Sequence, residues 1–209
     1  MAKRFRSGWL AALRQVWPVF LIILAVFILG LAAGGVGLQR MQAEQTLLLN
    51  QELELFFQQY SLVEIDTGQV LRGVLYRDAG QVLIMYVLGL TVIGIPALLG
   101  IIFLRGFALG FTVMYLTREQ STPGIALTIA AILPQNVLMV PALLLAGVAS
   151  LSFALVLARR FNDSRVLVWP NFVVYSGLMA LVLLCMAVAG LVEVYLTPLL
   201  FKYYTNYLL

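Results

Sequence analysis

Apolar residues in this chain come in long unbroken blocks, not in the short stripes of a water-soluble fold. Val16–Leu38, Val82–Leu104, Gly106–Leu116, Val137–Ala158 and Phe172–Thr197 are each dominated by Leu, Val, Ile, Ala and Phe. A helix needs about 20 residues to cross the hydrocarbon of a bilayer. The pattern therefore predicts five spans, with the second kinked at Pro96 and the third short. The stretch 125–158, 34 residues, carries no charged side chain. It carries Leu133-Pro134-Gln135-Asn136-Val137 in its middle and Pro141 one turn on. Proline removes a backbone donor where no water can replace it. We therefore expect either a half-helix over 125–133 broken at Pro134, followed by a full helix, or one long bent helix.

One segment alternates differently. Within 39–81, Leu49, Leu53, Phe56, Phe57 and Tyr60 recur at three- and four-residue spacing opposite Gln45, Glu52, Gln58 and Gln59. That spacing marks an amphipathic helix. Thr67-Gly68 ends it, and a second amphipathic piece, 69–76, leads into the second span. The expected architecture is all-α: a polytopic helical bundle of about five transmembrane helices, forming one domain over 1–209, with an extracytoplasmic amphipathic helical loop over 39–81. Phe56, Phe57 and Tyr60 cover either their own bundle or an extracytoplasmic partner.

Composition agrees with a membrane solvent. The chain is 63% hydrophobic and 11% charged, with a mean hydropathy of +1.01, whereas a soluble domain is about a quarter charged. The net charge of +4 lies beside apolar segments and not along one polar face, so nucleic-acid binding is not expected. Lys3, Arg4, Arg6 and Arg14 before an apolar run resemble a secretory signal. That run is longer than the roughly 7–15 residues of a signal core, and an uncleaved first span is expected.

With five crossings and a cytoplasmic amino terminus, Lys3, Arg4, Arg6, Arg14, Arg105, Arg159, Arg160 and Arg165 fall inside, against Asp163 alone. Arg40, Arg72, Arg77, Arg118 and Lys202 fall outside with the other acids. This is the positive-inside pattern, and it puts the carboxyl terminus outside. Glu193 is expected at the outer end of the last span, reaching the interface or pairing with Arg118 or Arg77.

Candidate chemistry is sparse. There is no histidine and one cysteine, Cys185, so no zinc or haem ligand set exists and no disulfide forms within one chain. No paired carboxylates lie at mid-membrane depth, and no buried lysine accompanies a serine. No catalytic, cofactor-binding or metal residue is expected. Arg105-Gly106 reads as a tight cytoplasmic turn between spans. Pro134, Gln135 and Asn136 read either as a kink that satisfies itself or as a polar joint packing on another helix. Gly30/Gly34 and Gly106/Gly110 are small-xxx-small pairs. They suit close packing within the chain first, and a homodimer seam second.

Three segments in order resemble the stage II sporulation protein M family: Gly89-Leu90-Thr91-Val92-Ile93-Gly94-Ile95-Pro96; Phe103-Leu104-Arg105-Gly106 with Gly110-Phe111-Thr112-Val113; and Leu133-Pro134-Gln135-Asn136-Val137-Leu138-Met139-Val140-Pro141-Ala142. The resemblance covers about 89–147 and more weakly the rest. It implies a non-enzymatic scaffold in the bacterial cell membrane. Such a scaffold would recruit two peptidoglycan-degrading partners, stage II sporulation proteins P and D, to the septal membrane during engulfment. The alternative expectation is a permease-like subunit of a transport or force-transmitting complex.

Overall fold

The computed structural model describes residues 2–40, 67–119, 122–162 and 167–208, with side chains over 16–40, 68–115 (70 excepted), 136–161, 167–192 and 194. The described residues form five helices: α1 Ala2–Gln39, α2 Thr67–Gly89, α3 Ile95–Glu119, α4 Thr122–Asn162 and α5 Val168–Leu208. The loop with Phe56, Phe57 and Tyr60 lies outside the described residues. So do the side chains of Pro134, Gln135 and Glu193.

Four helices are long and apolar enough to cross a membrane, over Val16–Gln39, Ile95–Tyr115, Asn136–Phe161 and Val168–Val192. The first, fourth and fifth expected spans fall on these with small shifts. The second and third do not. The stretch 82–104 is a hairpin: α2 ends at Gly89, the chain turns through 90–94, and α3 runs on past Arg105-Gly106. Pro96 is the second residue of α3 and produces no kink. A proline is tolerated there because first-turn N–H groups have no helical partner. Thr91 organises the turn. Its hydroxyl donates to the Leu88 carbonyl (3.1 Å) and accepts from the Gly94 amide (3.1 Å).

The expected break at Pro134 is also corrected, in favour of the single long helix. α4 is continuous through Pro134 and Pro141. In lipid a helix that loses one hydrogen bond to a proline keeps the others, because no water is present to solvate an opened turn.

Cross-helix contacts fix the direction of every helix. α1 and α3 run parallel, since Gly30 faces Phe103, Gly34 faces Phe107 and Phe111, and Gly110 faces Leu31. α4 runs opposite to them, with Gly147 on Ile102 and Met139 on Arg105. α5 runs opposite to α4: Ser150 meets Tyr175 and Phe153 meets Phe172. α2 runs opposite to α5, through Tyr86–Ser176 and Val74–Gly190. Five helices therefore pass along the bundle, and Val16 and Val192 lie at opposite ends.

α4 is the axis. Its span is 61% buried, against 22–28% for the other three. Its small residues Ala142, Ala146, Gly147, Ala149 and Ser150 are all buried and let its neighbours approach closely. Ile23, Leu98, Ile102, Met139, Leu143 and Met186 close the core around it.

Candidate functional site

The most demanding geometry lies where α1 meets α3. No glycine among the described residues has a positive φ, so glycine is used here for size and not for turning. A Cβ on Gly30 would overlap the Phe103 carbonyl, and one on Gly34 the Phe107 carbonyl. From the other side, Gly106 sits on the Phe27 carbonyl and Gly110 on that of Leu31. The two glycine pairs pack on each other, backbone to backbone. They are spent inside the chain and supply no reason for a dimer seam. Phe103, Phe107 and Phe111 stack along α3, with ring centroids 6.5 and 6.3 Å apart, and the Phe107 ring lies beside Gly37 of α1.

Arg105 is fixed by this seam. The expectation of a cytoplasmic turn is overturned: Arg105 is ten residues past the start of the Ile95–Tyr115 span, at its middle. Gly106 does not turn because its missing side chain is taken up by α1. The half-buried guanidinium reaches across to α4, where Nη2 donates to Met139 Sδ. Asn136, half-buried, lies three residues before Met139 on the same helix. Arg105 thus meets the stretch of α4 that carries Asn136, whereas Pro96 and Pro141 are exposed.

A second cluster was not anticipated. Tyr86, Ser150, Tyr175 and Ser176 gather where α2 ends. The Tyr175 hydroxyl donates to the Tyr86 carbonyl (2.8 Å) and contacts Ser150 Oγ (3.1 Å), and Ser150 Oγ donates to the Met85 carbonyl (3.0 Å). Tyr86 and Ser176 hydroxyls are 3.0 Å apart. The last four carbonyls of a helix have no internal partner, and α2 terminates against an apolar core. Tyr175 caps one of them from a neighbouring helix. Gly89 completes the fit, since a Cβ there would sit 2.8 Å from that of Ser150. Tyr175 also stacks on Phe153 (4.7 Å) and Tyr86 (5.1 Å). The sequence carried one signal for this cluster: lone hydroxyls inside otherwise apolar runs. Tyr175→Phe leaves the Tyr86 carbonyl unpaired and is expected to cost about 1–3 kcal/mol. Adding Ser150→Ala should cost less than its single effect, because the two hydroxyls share one network. Melting of the single and double variants in detergent checks both statements.

A third polar group, Asp78, is 2% exposed. Arg77 Nε donates to its Oδ1 at 3.2 Å. Asp78 was expected in the outer loop, but α2 carries it into the bundle beside Gly190. It is the only carboxylate among the described side chains, and no group of three or more potential metal ligands occurs among the described residues.

The three segments quoted above thus build one object: a capped helix end, a glycine seam and an arginine-bearing contact with the central helix. The model of the family described as "SpoIIM: Stage II sporulation protein M" matches residues 23–198. The chain belongs to the stage II sporulation protein M family. Neither the curated proteins nor the solved structures contain a match. The match takes in α2, α3 and α4 whole, α1 from residue 23 on, and α5 up to Pro198. Every sporulation protein M feature described here therefore lies inside the family region, and the basic residues before Val16 lie outside it.

Proposed function

We propose that this protein is a membrane scaffold that recruits and anchors peptidoglycan-degrading proteins, of the kind of stage II sporulation proteins P and D, at the septal membrane during engulfment. The supporting observation is its membership of the sporulation protein M family. The residues agree with that reading. The chain has no histidine, and Arg105, Ser150 and Tyr175 are spent on helix–helix contacts. What it offers is attachment and orientation, which raise the local concentration of partners held on the same membrane.

Charge orients it. With Arg105 inside the bundle, the amino-terminal end keeps Lys3, Arg4, Arg6, Arg14, Arg159, Arg160 and Arg165 against Asp163. The opposite end carries most of the acids. The amino terminus is cytoplasmic on this rule, and the carboxyl terminus and the segment between α1 and α2 are extracytoplasmic. On that orientation Phe56, Phe57 and Tyr60 are available on the side where peptidoglycan lies. Co-purification with the hydrolases from detergent tests the assignment. Replacing Phe56, Phe57 and Tyr60 by Ser should reduce recovery at least ten-fold; unchanged recovery would remove the loop from the docking surface.

A permease-like or force-transmitting role is the second reading. Arg105 and Asp78 favour it, because ionisable groups within a bundle are costly and mark pathways or switches. Solute flux in proteoliposomes would move the assignment to that reading.

A further inference from the structure

A cleft of about 490 Å³ opens between α4, α5 and the start of α1. Val19, Leu145, Val148, Leu178 and Leu181 wall it, and Arg159 and Asn171 stand at one end. From Arg159 to Ala142 its α4 wall spans 18 residues, about 25 Å. One leaflet's hydrocarbon is about 15 Å thick. The cleft is therefore deep enough for a whole acyl chain entering at the Arg159 end.

The two ends differ in chemistry. At the mouth, Arg159 has no described acid near it, since Asp78 pairs with Arg77. The neighbouring sequence holds Arg159, Arg160 and Arg165 against Asp163, a balance of three positive charges to one negative. The first turn of α5 opens on the same mouth through Asn171, whose Nδ2 donates to the Leu167 carbonyl (2.7 Å). Helix N-termini favour anions. The deep end, at Ala142, Leu181 and Cys185, is apolar.

We propose that this cleft is a binding site for an anionic phospholipid of the leaflet at the amino-terminal end of the bundle, with its phosphate at Arg159 and the first turn of α5 and one acyl chain along α4. A partner's transmembrane helix would fill the apolar length equally well but gives no use to a cation at one end only. The site does not depend on the scaffold reading.

The test uses the full chain in nanodiscs of dioleoylphosphatidylcholine doped with dioleoylphosphatidylglycerol. The lipid retained per protein is measured after detergent washing. The wild type should keep phosphatidylglycerol in preference to phosphatidylcholine. Arg159→Gln should weaken that retention about five-fold, the size of one interfacial cation, and Arg159→Lys should restore most of it. Leu178→Trp, or Leu145→Trp on the facing wall, should abolish it by filling the cleft. Melting in phosphatidylcholine alone identifies whichever tryptophan variant stays folded. Arg72→Gln, at the other end of the bundle, should change nothing. Equal retention of the two lipids by the wild type, undiminished retention in a folded tryptophan variant, or recovery of a protein helix in place of lipid would each overturn the proposal.

Discussion

Gly106→Leu should abolish the folded bundle. The substituted Cβ would drive into the Phe27 carbonyl, and both partners are helix backbone that no rotamer change can move aside. Ordinary overpacking of a core costs about 1–3 kcal/mol because side chains yield. Here α1 and α3 must separate along their whole seam, where Gly30, Gly34 and Gly110 make the same contact. The loss should exceed about 4 kcal/mol, which is exceptional for one substitution. Association in lipid rests on such close packing, because lipid tails are as apolar as the helix surfaces. Gly100→Ala and Gly177→Ala are the controls. Nothing lies within 4 Å of a Cβ at either position, and alanine is the better helix former by about 1 kcal/mol. Melting in detergent should place the controls at or above the wild type and leave Gly106→Leu without a cooperative transition. A Gly106→Leu protein that melts near the wild type would show that the seam does not hold α1 to α3.

Arg105→Leu should act in the opposite direction on stability and should impair function. An arginine at the middle of a span costs about 2.5–3.5 kcal/mol to insert. Its contact with Met139 Sδ is with a weak acceptor. Replacing a buried charge by a packed apolar side chain is often stabilising by about 1–4 kcal/mol. The expected result is a higher melting temperature and, on the proposed scaffold role, reduced capture of hydrolases. A lower melting temperature would mean that the guanidinium is a structural tie. Higher stability with full capture would mean that Arg105 has no part in assembly.

Both predictions concern residues that the sequence marked and read differently. Glycine beside arginine at a span's nominal edge is the usual signature of a turn. In lipid the same glycine can instead remove a side chain so that another helix can approach. Local sequence does not separate the two uses, because the deciding atoms, the Phe27 and Leu31 carbonyls, lie about 80 residues away in the chain. Pro96 was misread for a related reason. A proline kinks a helix it interrupts and starts a helix it begins, and only the Thr91–Gly94 turn showed that α3 begins there. The Tyr86–Ser150–Tyr175 cluster left still less trace. Hydroxyls 25 to 90 residues apart share no spacing, and their common task exists only once α2 has an end that needs capping.

The membrane class, the all-α architecture, the boundaries of the first, fourth and fifth spans and the family were already present in the chain. Each depends on quantities that add along a sequence: the transfer of apolar side chains to lipid, the length of a crossing, and the order of short motifs. Which face of each helix is inside was decided by the tertiary structure alone. In a soluble helix water selects the apolar face, but here nearly every face is apolar and lipid selects none. Small residues meeting backbone across helices make that choice, and it is fixed only when the partners are in place.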